Sequence, residues 1–433
     1  MIARLLLVNG LELVVGIGVA AAIGAPPATA YLLGLAVVGV VSAQLALVHV
    51  SFGWTALGVL AAAMLALGFR HGLPRLRRPP RPSLPAVVAL TALTAMFVRA
   101  WPTFAAKPLD DYDSWAMWGM KAKALVAFGS ADPALFASRG AAELHLDYPL
   151  LVPSLEAVAA RAMGGFDPRL IHLQFLLFGV AGISAVCGLL RPRVSPWLMW
   201  PVIAALAFAP AFLGQLLTAY ADVPLALFVA AGLVAAARWS SEQDPRLLVT
   251  ATVFFAAAAL TKDEGTLFVG CALVALLLAT RRVRLVVASG LAVEATLLPW
   301  QVWTAVHHIH SDTTNFLHVV GRQPAGVGPT VLHGLLDYVL SVHAWPLLFP
   351  IFFAAVIVAA GTRVAVFAWA WAVLALLGLA AVYISSTASY SAYLSSSGDR
   401  VIDTVAIAGA ALAPLLATEA LDRRSSLSTI TAP

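Results

Sequence analysis

Long apolar runs separated by short polar turns occupy most of the chain, at 3–23, 29–50, 53–69, 84–101, 169–190, 196–218, 223–238, 246–261, 265–281, 284–306, 345–361, 364–384 and 401–420. A helix of about 20 apolar residues crosses a bilayer core, so the pattern predicts an all-α polytopic membrane protein with roughly thirteen transmembrane helices. Two polar stretches, 102–168 and 307–343, are too long to be simple turns. In the first, Lys107 to Gly129 (KPLDDYDSWAMWGMKAKALVAFG) gathers acids, tryptophans and lysines after an apolar run that ends near Trp101. Trp115, Trp118, Met120 and Leu125 recur there at roughly helical spacing opposite Lys121 and Lys123, which predicts an amphipathic helix lying on the membrane surface.

Composition agrees: 61% of the 433 residues are hydrophobic, 11% are charged and the mean hydropathy is +0.91, which excludes an ordinary soluble domain. Cys187 and Cys271 both lie in apolar runs, so neither a disulfide framework nor a cysteine metal site is expected. The net charge of +5 comes from arginines clustered in short loops, at 70–81, 191–193, 238–246, 281–284, 363 and 423–424. Placing these loops in the cytoplasm explains the basic balance without a nucleic-acid partner. The resulting zigzag puts 102–168, Tyr220–Asp222, Lys262–Glu264, 307–343 and 385–400 together on the opposite, extracytoplasmic face. Met1 to Gly24 lacks a clear cleavage site and reads as a retained first span.

The expected organisation is a set of N-terminal spans with a basic cytoplasmic loop (1–83), a core (84–306) with its outer loop 102–168, a His-rich outer loop (307–343), C-terminal spans (344–421) and a cytoplasmic tail (422–433). The polar clusters on the outer face carry the candidate chemistry. Asp113, at a membrane–water boundary beside aromatic residues, suits a general base, although Asp-Ser ahead of a periodic run is also a helix-cap pattern. Asp110 and Asp111 share the cluster and suit a base, a cation or a sugar hydroxyl. Asp222, in TAYADVPLALF, is either a binding residue or a cap at the start of a span.

Lys262, in LTKDEG, falls on the face that basic loops avoid, so it calls for an anion, either a phosphate or its neighbours Asp263 and Glu264. Arg400, in SSSGDRVIDTV, stands at the mouth of the last span and suits an anionic ligand or a bridge to Asp399 or Asp403. His145, Asp147, Tyr148 and Pro149, in ELHLDYPLLVPSLEA, suit an acceptor or sugar pocket, or more simply Tyr148 and Pro149 fix the turn back to the membrane surface. The HHIHSDTTNFLH run, with His308, has spacings compatible with a metal but reads more simply as polar or phosphate-contacting lining. No metal ligand set is assigned, and a divalent cation is the one cofactor that the Asp and His clusters admit.

Taken in order, these motifs resemble the GT-C superfamily of membrane glycosyltransferases, among them the protein O-mannosyltransferases and the lipid A aminoarabinose transferases. The resemblance rests on DYDSWAMWGMKAKAL in the first outer loop, then DYPLLVP, AYADVPLALF and LTKDEG, and covers about 85–285. It includes the Asp-x-x-x-x-Trp-x-x-Lys-Ala-Lys run of bacterial relatives. Asp113 is followed by Ser114 where the family usually has a second acid, three spans stand ahead of the matching part, and no soluble C-terminal domain follows. The resemblance implies a GT-C-like bundle that transfers sugar, with inversion, from a polyprenyl-phosphate donor to a hydroxyl of a lipid, glycan or protein acceptor at the outer face of the cytoplasmic membrane. It implies Asp113, Asp111 or Asp110 as the base, with Lys262, Arg400 and His308 on the donor phosphate. Asp222, Trp115, Trp118, Lys121, Tyr148, His145 and Glu264 would line the substrate pocket. The alternatives are a secondary transporter and a metal-dependent oligosaccharide transferase or ligase.

Overall fold

The computed structural model describes residues 1–72, 82–138, 145–309, 326–385 and 390–430, with side chains omitted at 390–393 and 426–430. The described residues are helical or irregular, with no strand among them. The helices are α1 (Ile2–Ile23), α2 (Ala30–Leu47), α3 (Trp54–His71), α4 (Leu84–Ala106), α5 (Met120–Phe128), α6 (Pro133–Phe136), α7 (Leu151–Met163), α8 (Pro168–Leu190) and α9 (Pro196–Ala207). They continue with α10 (Pro210–Thr218), α11 (Asp222–Glu242), α12 (Pro245–Ala259), α13 (Asp263–Thr280), α14 (Val283–Val306), α15 (Val327–Val339), α16 (Leu348–Val358), α17 (Arg363–Ser385) and α18 (Tyr390–Ile430).

Ten helical segments are long and apolar enough to cross a membrane, or eleven when α9 and α10, bent by 52°, are joined as one span. The chain is therefore a multi-pass helical membrane protein. Every predicted apolar run contains a helix, but 246–261 and 345–361 yield only the 15-residue α12 and the 11-residue α16. At 1.5 Å per residue neither spans a bilayer core alone.

Local sequence sets several of these helix starts. Asp132, Asp167 and Asp244 each precede a proline and accept a hydrogen bond from a first-turn N–H. The acid satisfies an orphan donor, and the proline occupies a position that needs none. At the bundle's centre lies α11, rich in alanine and buried along its whole apolar length; α8, α12, α17 and α18 pack around it. On the outside, α4 is largely exposed, as expected of a helix facing lipid.

Small residues allow the close approaches. Gly34 of α2 sits against the Glu12 carbonyl of α1, where an added Cβ would lie 1.9 Å from the oxygen. Such contacts drive helix association where no water is squeezed out. Gly265 plays the same part in the α12–α13 turn, since a Cβ there would lie 2.0 Å from the Ala258 carbonyl oxygen.

The two ends of the bundle differ. Where α8, α11 and α18 finish, Arg193 reaches Glu419 and Asp422, both at 3.3 Å, and Arg238 holds Glu242 at 2.7 Å. Where α11, α13 and α18 begin, the ion pairs of the candidate site assemble.

Gly265 generates a stability prediction. Gly265→Val should force the α12–α13 turn apart and lower stability by roughly 1–3 kcal/mol, the usual scale of overpacking. Gly270→Ala, at an open position of α13, should leave stability unchanged or raise it. Thermal unfolding of both variants in detergent checks this.

Candidate active site

The site is built from the beginnings of three helices and the segments that fold over them. In the turn before α13, Lys262 takes an extended backbone, and its side chain turns back into the bundle. Its Nζ lies 2.9 Å from Asp222 Oδ1, in the first turn of α11, and 3.2 Å from Glu264 Oε1, in the first turn of α13. Burial opposes the ammonium charge, but these two carboxylates outweigh it and hold Lys262 above the ordinary lysine range. Both acids also sit at helix N-termini, which favour negative charge.

Beside this pair, Arg400 of α18 donates from Nη1 to Asp113 Oδ2 at 2.5 Å and lies over the Tyr220 ring, 4.7 Å from its centroid. Arg400 also lies within electrostatic reach of Asp222. Two ion-paired groups, Asp113–Arg400 and Asp222–Lys262–Glu264, therefore lie within electrostatic reach of each other. Asp113 does not cap the following helix, and Arg400 has Asp113 as its ion-pair partner. Asp110 and Asp111 pair with Lys107 instead, Asp111 at 2.5 Å and Asp110 at 3.4 Å. Despite some burial, those carboxylates raise the Lys107 ammonium.

The segment from Asp113 corrects the expected helix geometry. Residues 113–119 form a π-helical turn before α5. This wider turn breaks the 3.6-residue period, so positions read as opposite faces do not stay opposite. Lys121, expected on the wet side, is completely buried, whereas Trp115 is half exposed with its ring edge toward Tyr112. Trp118 is buried and stacks on Tyr148 at 5.7 Å, and Tyr148 stacks in turn on His145 at 4.9 Å.

Lys121 fastens the loop that carries these rings, donating to the carbonyls of His145 at 2.5 Å and Tyr148 at 3.3 Å. Burial lowers its ammonium to about 7, against the pull of Asp147 and Asp263. A neutral amine still has two N–H groups, enough for both carbonyls. The Trp300 indole N–H donates to the Asp147 carbonyl at 2.9 Å, and the Leu151 N–H donates to the Leu260 carbonyl at 3.0 Å. These bonds fix the 145–151 loop beside the Lys262 turn.

Two cavities flank the ion pairs. One is an apolar slot of about 200 Å³ between α4, α8 and α10, lined by Phe97, Ala100, Phe104, Leu176, Leu213 and Leu216. It ends under the site, since Phe104 lies in the last turn before Lys107 and Leu216 in the last turn before Tyr220. His172, outside the lining, stacks on Phe104 and bonds to the Leu217 carbonyl at 3.1 Å. The other cavity, of about 420 Å³, lies between α13, α14 and the 145–151 loop and includes Asp147, Tyr148, Asp263, Glu264 and Trp300.

The structure thus brings together Asp113, Arg400, Asp222, Lys262 and Glu264, with Tyr148, Trp118, Lys121 and His145 packed alongside. His308 stands exposed after the end of α14, while His307 packs on Trp303. His310, Asp312, His318 and Arg322 lie outside the described residues, as does most of the 70–81 basic loop. Among the described residues no three His, Cys, Asp or Glu side chains converge as metal ligands would.

Sequence reasoning left out Tyr220 and Trp300, and it named Asp263 only as a partner for Lys262; Asp147, expected with His145 and Tyr148 in a pocket, lines the cavity of about 420 Å³. Tyr220 falls inside a motif already singled out. Trp300 lies within an apolar run, where nothing distinguishes it from an interfacial tryptophan.

Two outcomes follow from these charges. Lys262→Met should destabilise by about 3–5 kcal/mol because it leaves buried acids unpaired, and Asp222→Asn added to it should recover part of the loss. A double-mutant cycle on thermal unfolding reads the coupling. The folded-state value of Lys121 lies below the unfolded one, so above about 7 the unfolded chain binds more protons and stability rises with pH toward the ordinary lysine value. Lys121→Met should therefore gain most over wild type below about pH 7 and lose that advantage on going alkaline, a trend that melting curves across pH would reveal.

No protein-family model, curated protein or solved structure matches this chain.

Proposed function

We propose that this chain is a membrane glycosyltransferase of GT-C type with roughly thirteen spans, counting α12 and α16 with their flanking residues. In this reading it moves a sugar from a polyprenyl phosphate to an acceptor hydroxyl on the extracytoplasmic face of the cytoplasmic membrane. The observation that carries the reading is the Asp113–Arg400 pair set above the apolar slot, with Lys262 behind it. A lipid-linked phosphosugar needs such a junction: an apolar path for the tail, a cation for the phosphate and a carboxylate for the incoming hydroxyl.

In the proposed reaction the tail lies along the slot and the phosphate meets Arg400, with Lys262 as a second, more distant positive charge. Asp113 aligns the acceptor and takes its proton as the oxygen attacks the anomeric carbon. The bond from that carbon to the phosphate oxygen breaks, its electron pair leaves on the polyprenyl phosphate, and the configuration inverts. The Trp115 face and α5 would rest at the membrane surface.

Secondary transport is the rival reading, and one observation favours it. Glu12 is wholly buried in α1, and among the described residues neither carboxylate oxygen has a hydrogen-bond partner, a setting that suits an intramembrane acid carrying a proton.

Membranes from cells lacking the native copy, supplied with radiolabelled polyprenyl-phosphate sugars, separate the readings. Asp113→Asn should lower turnover by about a hundredfold or more with donor KM little changed, while Arg400→Ala should raise donor KM. An undiminished rate in Asp113→Asn would remove it as the base. Absence of transfer by wild type, together with solute uptake abolished by Glu12→Gln, would establish the transporter instead.

A further inference from the structure

A third cavity, of about 510 Å³, lies between α2, α12 and α14, apart from the two that flank the ion pairs. Its surface is apolar, with Val37, Val41, Val253, Ala288 and Ala292 in the lining, and its polar groups are hydroxyls. Thr252 and Ser289 bond to each other at 2.5 Å, which satisfies both and ties α12 to α14. Val249, Leu285 and Ala288 are exposed, so the cavity is a groove open on its outer side. No water fills such a groove within the hydrocarbon core, and lipid is what covers it.

The groove has the depth of one leaflet. Along α14 its lining runs from Leu285 to Thr296, about 16 Å at the helical rise, against about 15 Å for half of a hydrocarbon core. At the Thr296 end Gln44 of α2 donates to the Thr296 carbonyl at 2.6 Å and draws α2 to α14. The other end, at Leu248 and Leu285, lies in the first turns of α12 and α14. A chain therefore enters from the leaflet on that side, which the basic loops assign to the cytoplasm.

Charge at this entrance selects the lipid. Arg281 and Arg282 form the turn before α14, and Arg284 stands one turn before Ala288. Arg246, in the first turn of α12, lays its stem against Gly24. All four arginines are exposed, and among the described residues none forms an ion pair. Arg193 and Arg238, at the same end of the bundle, are by contrast neutralised by Glu242, Glu419 and Asp422. Side chains in a first helical turn lean toward the N-terminus, so Arg284 reaches out to the headgroup level while its stem stays on the apolar surface.

We infer that the groove is a binding site for an anionic phospholipid, with one acyl chain between α2, α12 and α14 and the phosphate at Arg282 and Arg284. The site faces the leaflet opposite the Asp113–Arg400 pair and takes no part in the proposed transfer. A chain seated there packs on α12, whose far end leads into the Lys262 turn.

The full chain in detergent would be titrated with an equal mixture of phosphatidylglycerol and phosphatidylcholine, and native mass spectrometry would identify the lipids that stay bound. Wild type should retain one phosphatidylglycerol in preference to phosphatidylcholine. Arg282→Gln combined with Arg284→Gln should lower that preference by about tenfold or more. Ala288→Phe, at an exposed position of the lining, should displace both lipids. Equal retention of the two lipids by wild type, or a preference unchanged in the double arginine variant, would overturn the site. Unchanged retention by Ala288→Phe with a wild-type melting curve would also overturn it, since the chain would then lie elsewhere. Displacement of the lipid by an equal concentration of soluble glycerophosphoglycerol would show a site for free anions and overturn the lipid. Should Ala288→Phe fail to fold, the arginine variant, changed only at exposed positions, still decides.

Discussion

A lysine inside an apolar bundle is tolerated only with anions in contact, and the end of this bundle is assembled around Lys262. Its ammonium bridges the first turns of α11 and α13 through Asp222 and Glu264. Because α11 is the most deeply buried helix, tying its start fixes a reference to which the other segments are set. The tight turn at Gly265 brings α12 against α13 closely enough for Lys262 to reach inward. The Leu260 carbonyl, in the same turn, then anchors the start of α7. Removing the lysine would leave two carboxylates facing each other in a poorly solvated space, which is why its pairing is structural before it is functional.

The spans were legible because membrane thickness imposes a length on apolar runs, and that length is written directly into sequence. Where the structure falls short of expectation, at α12 and α16, apolar residues continue beyond the helix. Leu260 is apolar yet ends α12, because the chain must turn for Lys262 to take its extended backbone. Hydropathy records what a residue can be buried in, and the helix ends where its hydrogen bonds do.

The site was legible as a set of motifs and in one local pair, Lys262 with Glu264, but not in its long-range partners. Asp113 and Arg400 stand 287 positions apart, and nothing local pairs them. Lys121 was misplaced for a definable reason: a 3.6-residue period was carried through a π-helical turn, which rotates everything after it. Trp300 gave no signal because a tryptophan near the end of an apolar run usually marks only the interface. What distinguishes it is the Asp147 carbonyl on its indole N–H, a tertiary contact.

The sign of charge also imposes an order on the proposed reaction. In the proposed reaction the anionic donor comes along the slot beside α4 toward the Arg400 guanidinium. Arg400, however, already holds Asp113. A phosphate arriving at the guanidinium competes for its N–H groups with the carboxylate that is to act as base. Donor binding therefore loosens Asp113 from its partner at the moment an acceptor hydroxyl can use it. In the absence of donor the base stays occupied, and water bound near it finds no free carboxylate. The pair that keeps two buried charges stable in the resting protein would, in this reading, also couple arrival of the donor to release of the base.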